Sequence, residues 1–509
     1  MPVRRGLVTG GDQHRPRATS GTMQTGTGTT VEHASRANGP RHPVRAMLVR
    51  LHFYAGVFVA PFILVAAVSG LLYAVSPSLE RLVHDDQLHT ESRGEPLPLA
   101  DQIDAARTTE PDLPLLAVRP AADTGTTTRV LFDGGRTEEN RREAVFVDPV
   151  TGAVVGELPV YGSSGALPFR TWTSQLHSGL HLGEPGRIYS ELAASWLWVI
   201  GLAGLALWWT GPRRARRWRP SRVGGRRGRT MSWHGAVGTW ALLGMLMLSA
   251  TGLTWSRFAG ENVTDLREAL GWTTPAVAAD VPPNADPHAA HRGGGAAEPP
   301  RTSDGPGIGY DSAADVGADH GLAGPVEITG PVGATGAYVV QELDRSWPTH
   351  TDAVSVDPAD GTVVDVVRFA DFPLAAQLTR WGIDIHMGLL FGVYNQIALA
   401  LLALVLVAMV GWGYRMWWVR RPTRGHRLRL GRPPRRGGWR RVPPSILVGV
   451  VGLVVAVGWF LPVLGASLLL FVLVDSLVGL RPGKRPAQTG GPPAELRLGD
   501  PQLTGLRAR

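Results

Sequence analysis

The sequence predicts a polytopic α-helical membrane bundle of about six spans, internally duplicated, that carries two small extracytoplasmic α+β modules. Three observations lead to this fold class: apolar runs of membrane length, dense arginine clusters beside those runs, and motifs of the first half that recur in the second half. The mean hydropathy is close to zero because strongly apolar runs are averaged with very polar segments.

Composition divides the 509 residues into alternating apolar and polar segments. The apolar segments are TM1 at 44–76, TM2 at 188–210, TM3 at 231–256, and a surface helix with TM4 at 386–419. A fifth run, 445–480, is too long for one span. Pro462 and Gly465 near its middle predict a TM5–TM6 hairpin, and one long kinked helix is the alternative. The polar segments are a disordered tail at 1–43, a first module at 77–187, an arginine loop at 211–230, a second module at 257–385 with a disordered insert at 275–325, a second arginine loop at 420–444, and a disordered tail at 481–509.

The arginine clusters predict the orientation of the chain in the membrane. Residues 211–230 contain nine arginines and residues 420–441 contain ten, and neither segment contains an acidic residue. Because such loops stay on the cytoplasmic side, these segments and both termini are predicted to be cytoplasmic, and the two modules extracytoplasmic. We interpret the arginines as determinants of topology and predict no nucleic-acid partner.

Short strands separated by turn residues characterise both outer modules. The first has a predicted helix at Pro98–Thr108 and predicted strands around Leu115–Val118, Thr128–Phe132, Ala144–Val147 and Ala153–Leu158. The second has predicted strands at Ala337–Gln341, Ala353–Val356 and Thr362–Val367. An Asp-Pro sequence that ends in glycine forms the last turn of each module.

Uncommon residue combinations occur twice along the chain. A constant offset relates Asp148-Pro149…Gly152 to Asp357-Pro358…Gly361, Leu176-His177 to Ile385-His386, and Trp208-Trp209 to Trp417-Trp418. A shorter offset relates His52 to His234, because the second half has a longer outer segment. We therefore predict two repeats related by a pseudo-twofold axis along the membrane normal.

Four histidines at repeat-related positions are the candidate site residues: His52, His177, His234 and His386. His52 is followed at i+4 and i+18 by Gly56 and Gly70, and His234 in the same way by Gly238 and Gly252, so each histidine shares a helix face with two glycines. An ionisable side chain in a membrane span indicates function, and neutral imidazole is a common ligand of haem iron. Glycines leave room for a flat macrocycle. The alternative is a structural role in capping and hydrogen bonding near helix ends.

The pseudo-twofold axis predicts which histidines meet. His52 and His234 begin their spans on the cytoplasmic side, whereas His177 and His386 precede spans on the outer side. From His52 to Ala74 there are 22 helical residues, a rise of roughly 33 Å, so His52 and His177 cannot bind one iron. The prediction is an inner pair, an outer pair and two haem b groups; a single haem at one pair is the alternative. Asp475 in the last span either faces the bundle or lies near the inner interface.

These motifs resemble those of the PepSY-associated transmembrane helix family, which comprises iron-regulated bacterial inner-membrane proteins. The resemblance covers about 45–480. It is carried by Leu51-His52, the Val147–Gly152 turn, Leu176-His177 with Gly183-Glu184-Pro185-Gly186, the copies of these motifs in the second half, and the terminal hairpin with Leu461-Pro462 and Asp475. It implies that the two modules are PepSY-like and that the chain lies in the bacterial cytoplasmic (inner) membrane as a multi-pass protein.

Some members of that family are haem-containing ferric-siderophore reductases. The resemblance therefore implies a membrane oxidoreductase that passes electrons outward to reduce an extracytoplasmic ferric chelate, such as a siderophore, in iron acquisition. The implied partners are the lipid bilayer, the chelate, and a cytoplasmic or quinol electron donor. The alternative function is a non-enzymatic PepSY-type binding or regulatory membrane protein, and a transporter subunit is a third.

Other redox chemistry finds no basis in the sequence. The chain has no cysteine, which excludes iron–sulfur clusters, thiolate metal sites and disulfides. It also has no GxGxxG fingerprint, no P-loop and no HExxH motif, so nothing indicates flavin, nicotinamide or catalytic zinc. No residue is assigned as catalytic.

Overall fold

The computed structural model describes residues 43–134, 141–162, 164–211, 218–222, 225–281, 307–420 and 442–480. The tails predicted at 1–43 and 481–509 lie outside the described residues, residue 43 excepted. So do the middle of the predicted insert and most of both arginine loops. The described part consists of a helical bundle and an antiparallel sheet.

The helices are α1 (Pro43–Phe58), α2 (Ala60–Val83), α3 (Asp85–Leu88), α4 (Leu99–Arg107), α5 (Pro168–Gly179), α6 (Glu184–Trp209), α7 (Arg226–Thr254), α8 (Ala259–Ala269), α9 (Gly309–Asp319), α10 (Leu374–His386), α11 (Gly392–Trp418), α12 (Pro444–Phe460) and α13 (Pro462–Leu480). The strands are β1 (Leu115–Arg119), β2 (Thr128–Asp133), β3 (Arg141–Val147), β4 (Val154–Tyr161), β5 (Val326–Thr329), β6 (Tyr338–Glu342), β7 (Ala353–Val356) and β8 (Val363–Val367).

In the described part of the chain, four helices are long and apolar enough to cross a membrane: α2, α6, α7 and α11. α2 packs against α11, α11 against α7, α7 against α6, and α6 against α2, so the four close into a ring. Apolar side chains such as Ile63, Met245 and Leu406 fill its interior. We call the end of the ring that adjoins the arginine loops the inner end, and the end that adjoins the sheet the outer end.

The first predicted span differs from the prediction in its shape and its length. TM1 was expected as one helix over 44–76, whereas the structure has α1, a break at Val59, and α2 as far as Val83. Pro61 lies in the first turn of α2, where it has no N–H to donate and its ring crowds the preceding turn, which explains the break. Because α2 is longer than predicted, it carries Glu80 beyond the bundle to the start of α5, where Glu80 accepts a hydrogen bond from the Leu167 N–H at 2.9 Å.

Residues 445–480 form two helices, α12 and α13, that pack against each other. The indole N–H of Trp196 on α6 donates to Ser467 Oγ at 2.9 Å, and Arg50 on α1 pairs with Asp475 at 2.7 Å. Asp475 therefore faces α1. Both helices are shorter than the four long ones, at 17 and 19 residues, so the total of six spans stays a prediction.

The eight strands form one sheet in the order β4-β3-β2-β1-β5-β6-β7-β8, with every neighbouring pair antiparallel. The β1–β5 pair, Ala117↔Thr329 and Val118↔Ile328, joins the two halves. The two modules predicted from the sequence are therefore joined, because the outer segments share one continuous sheet. Each half contributes four consecutive strands outward from the central pair, while the duplication itself stays a prediction.

The second outer segment is more ordered than its composition indicated. The insert predicted at 275–325 contains helix α9, and strand β5, which was not predicted, follows directly after it. α9 consists mainly of small residues and so lacks apolar periodicity, but its buried Ala313 and Gly317 pack toward the sheet. Residues 282–306 of the predicted insert lie outside the described residues.

The two faces of the sheet have separate cores. One face, with Val118, Val130 and Val340, is covered by α4 and α9. The Asp311 carboxylate on α9 accepts a hydrogen bond from the Leu99 N–H at 2.7 Å and so caps α4 from the other half of the chain. The other face, with Leu131 and Phe146, packs on α3 and the start of α5 and is turned toward the bundle.

Candidate cofactor site

The inner histidine pair is formed by His52 on α1 and His234 on α7. Their ring centres lie 6.2 Å apart and their planes are inclined by 80°. Both line a cavity of 510 Å³, together with Gly56 and Gly238. The structure thus brings together two residues and two glycines that the sequence placed in different repeats.

The outer histidine pair is formed by His177 near the end of α5 and His386 at the end of α10. Their ring centres lie 6.3 Å apart with planes inclined by 46°. They line a smaller cavity of 180 Å³, to which Gly70 and Gly252 contribute. Tyr73 stacks parallel to His177, with ring centres 6.2 Å apart and an interplanar angle of 8°.

Hydrogen bonds fix the protonated nitrogen of His52. Its Nδ1 lies 3.1 Å from the carbonyl oxygen of Ile200 on α6, and a carbonyl can only accept, so Nδ1 carries the proton. The Nε2 lone pair of a neutral imidazole is then available to a metal. Nδ1 of His234 is buried and has no partner among the residues that the structure describes.

In the outer pair, side-chain hydroxyl groups determine which nitrogen of each imidazole is protonated. Ser69 Oγ lies 3.1 Å from His177 Nδ1, and Thr251 Oγ1 lies 2.6 Å from His386 Nδ1. Each hydroxyl already donates to the carbonyl four residues earlier in its own helix, at 2.9 Å and 2.7 Å, so it accepts from the histidine. Both imidazoles are therefore protonated at Nδ1 and have a free Nε2.

Glycines provide the space in which two of the imidazoles lie. A Cβ on Gly70 would lie 3.0 Å from Cε1 of His177, and a Cβ on Gly204 of α6 would lie 2.9 Å from Cε1 of His52. At Gly56 a Cβ would meet no described atom within 4 Å, so this position opens into the inner cavity. Gly70 and Gly204 thus support a histidine, whereas Gly56 widens a cavity.

Only a thin apolar layer separates the two cavities. Ile63, Leu197 and Leu406 line both of them. All three side chains are buried. The inner and outer sites are therefore neighbours along the bundle, with no polar side chain among the residues that they share.

The inner cavity is strongly basic at the end nearest the arginine loops. Arg45, Arg227 and Arg420 contribute to its lining, and no carboxylate does so among the described residues. Trp208 and Trp417, one from each predicted tryptophan pair, also line it, whereas Trp209 and Trp418 are exposed. One tryptophan of each pair therefore lines the cavity, and the other is exposed.

Charged side chains lie between the outer pair and the sheet. The Asp384 carboxylate on α10 accepts a hydrogen bond from Arg380 Nε at 2.8 Å and lies 3.8 Å from Arg345. Burial raises the pKa of Asp384, although both arginines act against it. Burial, and next the nearby Arg380, lower the pKa of Arg345 to about 10.

The donor set fits a haem iron better than a free metal ion. Two imidazoles that bind one metal from opposite sides, at about 2 Å each, have ring centres roughly 6 Å apart, close to the spacing in both pairs. No group of three or more His, Asp or Glu could hold a metal ion among the described residues. A site with only two protein ligands suits a metal that brings its own equatorial ligands.

Residues 49–420 match the family model described as the PepSY-associated TM region. The chain belongs to this family. The resemblance inferred from the sequence motifs is thereby confirmed, and with it the membrane location of the four long helices. No curated protein matches the chain.

Three residues that hold the histidines in this PepSY-associated protein were missed by sequence reasoning: Ser69, Gly204 and Thr251. Ser69 and Thr251 each directly precede a glycine that was singled out, Gly70 and Gly252. That shared Ser/Thr-Gly pattern was a usable signal. Gly204 lies on a different helix from His52, and nothing in one sequence links the two.

His181 does not join the site. It lies four residues after His177, a spacing that would place both side chains on one face of a continuous helix. However, α5 ends at Gly179, and His181 has a positive φ of 55°. Its ring packs on Trp172 at 5.2 Å. The chain turns away before a second ligand could be presented on the same face.

Proposed function

We propose that this chain is a haem-containing membrane oxidoreductase that passes electrons outward to reduce an extracytoplasmic ferric chelate. The observation that carries the proposal is the pair of imidazole pairs, with ring centres 6.2 and 6.3 Å apart, at the two ends of one bundle. Two metal sites at opposite ends of an apolar bundle have the arrangement that electron transfer across a membrane requires.

Each histidine pair would hold one haem b through Nε2. Bound haem supplies an iron that exchanges single electrons. Three arginines line the inner cavity and would bind the propionate groups of an inner haem: Arg45, Arg227 and Arg420. Ile63, Leu197 and Leu406 keep water out of the space between the two sites.

The separation between the pairs is compatible with two steps. His52 on α1 and Gly70 on α2, which contacts His177, are 18 residues apart, so the helical rise between them is at most about 27 Å. Two flat macrocycles would occupy much of that length, and their cavities share three apolar lining residues. At the outer site one electron converts a ferric chelate to the ferrous form, which releases Fe(II). The donor on the inner side is a cytoplasmic protein or a quinol.

The proposal predicts a coloured protein. Full-length chain purified in detergent from haem-replete cells should show a Soret band, a b-type α band after reduction, and two haems per chain. Dithionite-reduced protein should be reoxidised by ferric citrate within seconds, and the α band should disappear. A colourless preparation would refute this function and favour the non-enzymatic PepSY-type binding or regulatory role.

We further propose that the chain is a multi-pass protein of the bacterial cytoplasmic membrane with both termini in the cytoplasm. The arginine content of 211–230 and 420–441 supports this orientation. A reporter that is active only after export, inserted at Gly294, should be active. Activity of a cytoplasm-only reporter at the same position would contradict this orientation. The proposed direction of electron flow would then be wrong as well.

A further inference from the structure

A charged layer separates the sheet from the outer histidine pair. Its arginines are Arg119 on β1, Arg129 on β2, Arg142 on β3, Arg170 on α5, Arg345 after β6, and Arg380 on α10. Its carboxylates are Glu80 on α2, Glu327 on β5 and Asp384 on α10. Both halves of the chain contribute, and the strand residues project from the face of the sheet that is turned toward the bundle.

Each carboxylate of the layer is already engaged by arginine. Glu327 pairs with Arg119 at 2.6 Å and with Arg142 at 3.2 Å. Glu80 lies 3.5 Å from Arg170, and Asp384 pairs with Arg380 and Arg345. The carboxylates themselves are at most 14% exposed. Six arginines thus surround three carboxylates, and the layer carries an excess of positive charge.

Arg129 shows the excess most clearly. Its guanidinium lies over the ring of Phe146 at 5.5 Å, and no carboxylate lies within ion-pairing distance of it in the described part of the chain. Burial, and next the neighbouring Arg119, lower the pKa of Arg129 to about 10, so it remains charged at neutral pH. Arg129 is half-buried, and the only carboxylate that acts on its charge, Glu80, lies beyond ion-pairing distance. Keeping a cation away from water without a directly paired carboxylate is costly, and an anionic ligand would reduce that cost.

The layer lies directly over the outer histidines. Arg170 precedes His177 by two turns on α5, a rise of about 10 Å. The Tyr73 ring stacks on His177, with ring centres 6.2 Å apart. Arg142 and Arg380 are each 29% exposed, so the layer also reaches solvent at its rim.

We propose that the charged layer is a binding site for carboxylate oxygens, with Arg129 and Arg345 as its principal ligand-binding residues. Arginine binds carboxylates in a bidentate manner, which suits a planar anionic group held between the sheet and the bundle. The carboxylates have two possible sources: an acidic ferric chelate from outside, or the propionates of a haem at the outer pair. Both sources rest on the proposed function, and the experiment separates them.

The test uses the full-length chain in detergent and gallium(III) citrate, a redox-inert counterpart of ferric citrate, in calorimetric titrations. The variant is Arg129→Gln, and the matched control is Arg141→Gln, which lies one residue from Arg142 on β3 and faces the opposite side of the sheet. In parallel, the rate at which each protein loses haem to an excess of apomyoglobin is measured. Arg345→Gln replaces Arg129→Gln if the latter does not fold.

If an external chelate is the source, Arg129→Gln should weaken gallium citrate binding about tenfold or more, while Arg141→Gln changes it less than twofold. If propionates are the source, gallium citrate binding should be equal in all proteins. Arg129→Gln should then lose one of its two haems about tenfold faster than the control. Equal binding together with equal haem loss would overturn the proposal.

Failure of this inference is distinguishable from failure of the proposed function. Binding of gallium citrate requires no electron transfer and no haem. A colourless protein that binds gallium citrate through Arg129 would keep the carboxylate site and refute the reductase. If the protein contains haem, and Arg129→Gln changes neither gallium citrate binding nor haem loss, the carboxylate site is refuted and the reductase proposal stands.

Discussion

The inner and outer histidine pairs have the same ring spacing but are held by different means. His52 and His234 lie in the interior of helices α1 and α7, and His52 is oriented by a backbone carbonyl. His177 and His386 lie at the ends of the shorter helices α5 and α10, and hydroxyl side chains orient them. The inner cavity is also nearly three times larger than the outer one, at 510 against 180 Å³. A common ligand geometry is therefore compatible with two environments that can be tuned separately.

The largest effect should come from removing one histidine at a time. His52→Ala and His234→Ala should each reduce two haems per chain to one, and the same haem should be lost in both, since one neutral imidazole alone cannot hold the iron from both sides. His177→Ala and His386→Ala should lose the other haem. Haem stoichiometry and low-temperature spectra measure this.

His181→Ala is the control for that series, because His181 packs on Trp172 away from the pairs. It should retain both haems. If His52→Ala and His177→Ala instead depleted one common haem, the division into an inner and an outer site would be wrong.

A smaller effect is expected from filling the space beside a histidine. Gly204→Ala and Gly70→Ala would each place a methyl group about 3 Å from an imidazole, at 2.9 and 3.0 Å. Overpacking of this kind costs about 1–3 kcal/mol, so each variant should bind the haem of its own pair several-fold more weakly and leave the other unchanged.

Substitutions at two other glycines serve as a control and as a test of whether a ligand fills the inner cavity. Gly411→Ala on α11 meets no described atom within 4 Å and should have no effect. Gly56→Ala also meets none in the protein, so it should weaken haem binding only if a ligand fills the inner cavity. If Gly56→Ala binds haem as tightly as the unchanged protein, the inner haem does not occupy the space beside Gly56.

The smallest expected effect is a change in the midpoint potential of the haem at the outer pair, without a change at the inner pair. Thr251→Ala and Ser69→Ala remove the hydroxyls that accept from the outer imidazoles, which makes those imidazoles weaker donors to iron. A hydrogen bond of about 1 kcal/mol corresponds to a rise in the outer midpoint potential of the order of 40 mV. Redox titration of the separate α bands measures the change.

Thr254→Ala is the matched control, since Thr254 lies one turn further along α7 and its hydroxyl donates to the Thr251 carbonyl at 2.6 Å. The inner potential should be unchanged in all three variants. A shift of the inner haem alone would show that the hydroxyls do not act through the outer histidines.

The proximity of the histidines within each pair could be predicted because each histidine belongs to a motif that occurs in both halves of the sequence. His52 and His234, like His177 and His386, occupy equivalent positions, and a twofold axis brings equivalent positions together. The glycines at i+4 and i+18 were visible for the same reason. The residue that contacts His52, Gly204, was not predictable, because a close approach between helices leaves no periodic pattern in either of them.

The continuity of the sheet was hidden by short and weakly patterned elements. β5 has only 4 residues, and α9 before it is made mainly of small and acidic ones. Neither gives the apolar periodicity on which a sequence prediction depends. Pro61, by contrast, was visible in the sequence, and the break that it causes follows from its missing N–H.

The central pair of the sheet, Ala117↔Thr329 and Val118↔Ile328, imposes an order on assembly. β1 is synthesised long before β5, and such distant pairings form late because the chain between them must first be placed. α6 and α7 lie between the two strands in sequence. Under the proposed topology, we therefore expect the outer histidines to meet only after both outer segments have crossed the membrane, whereas His52 and His234 can meet as soon as α7 is inserted. Under the proposed function, a protein whose inner site had matured before its outer site would be unable to deliver electrons to the outside.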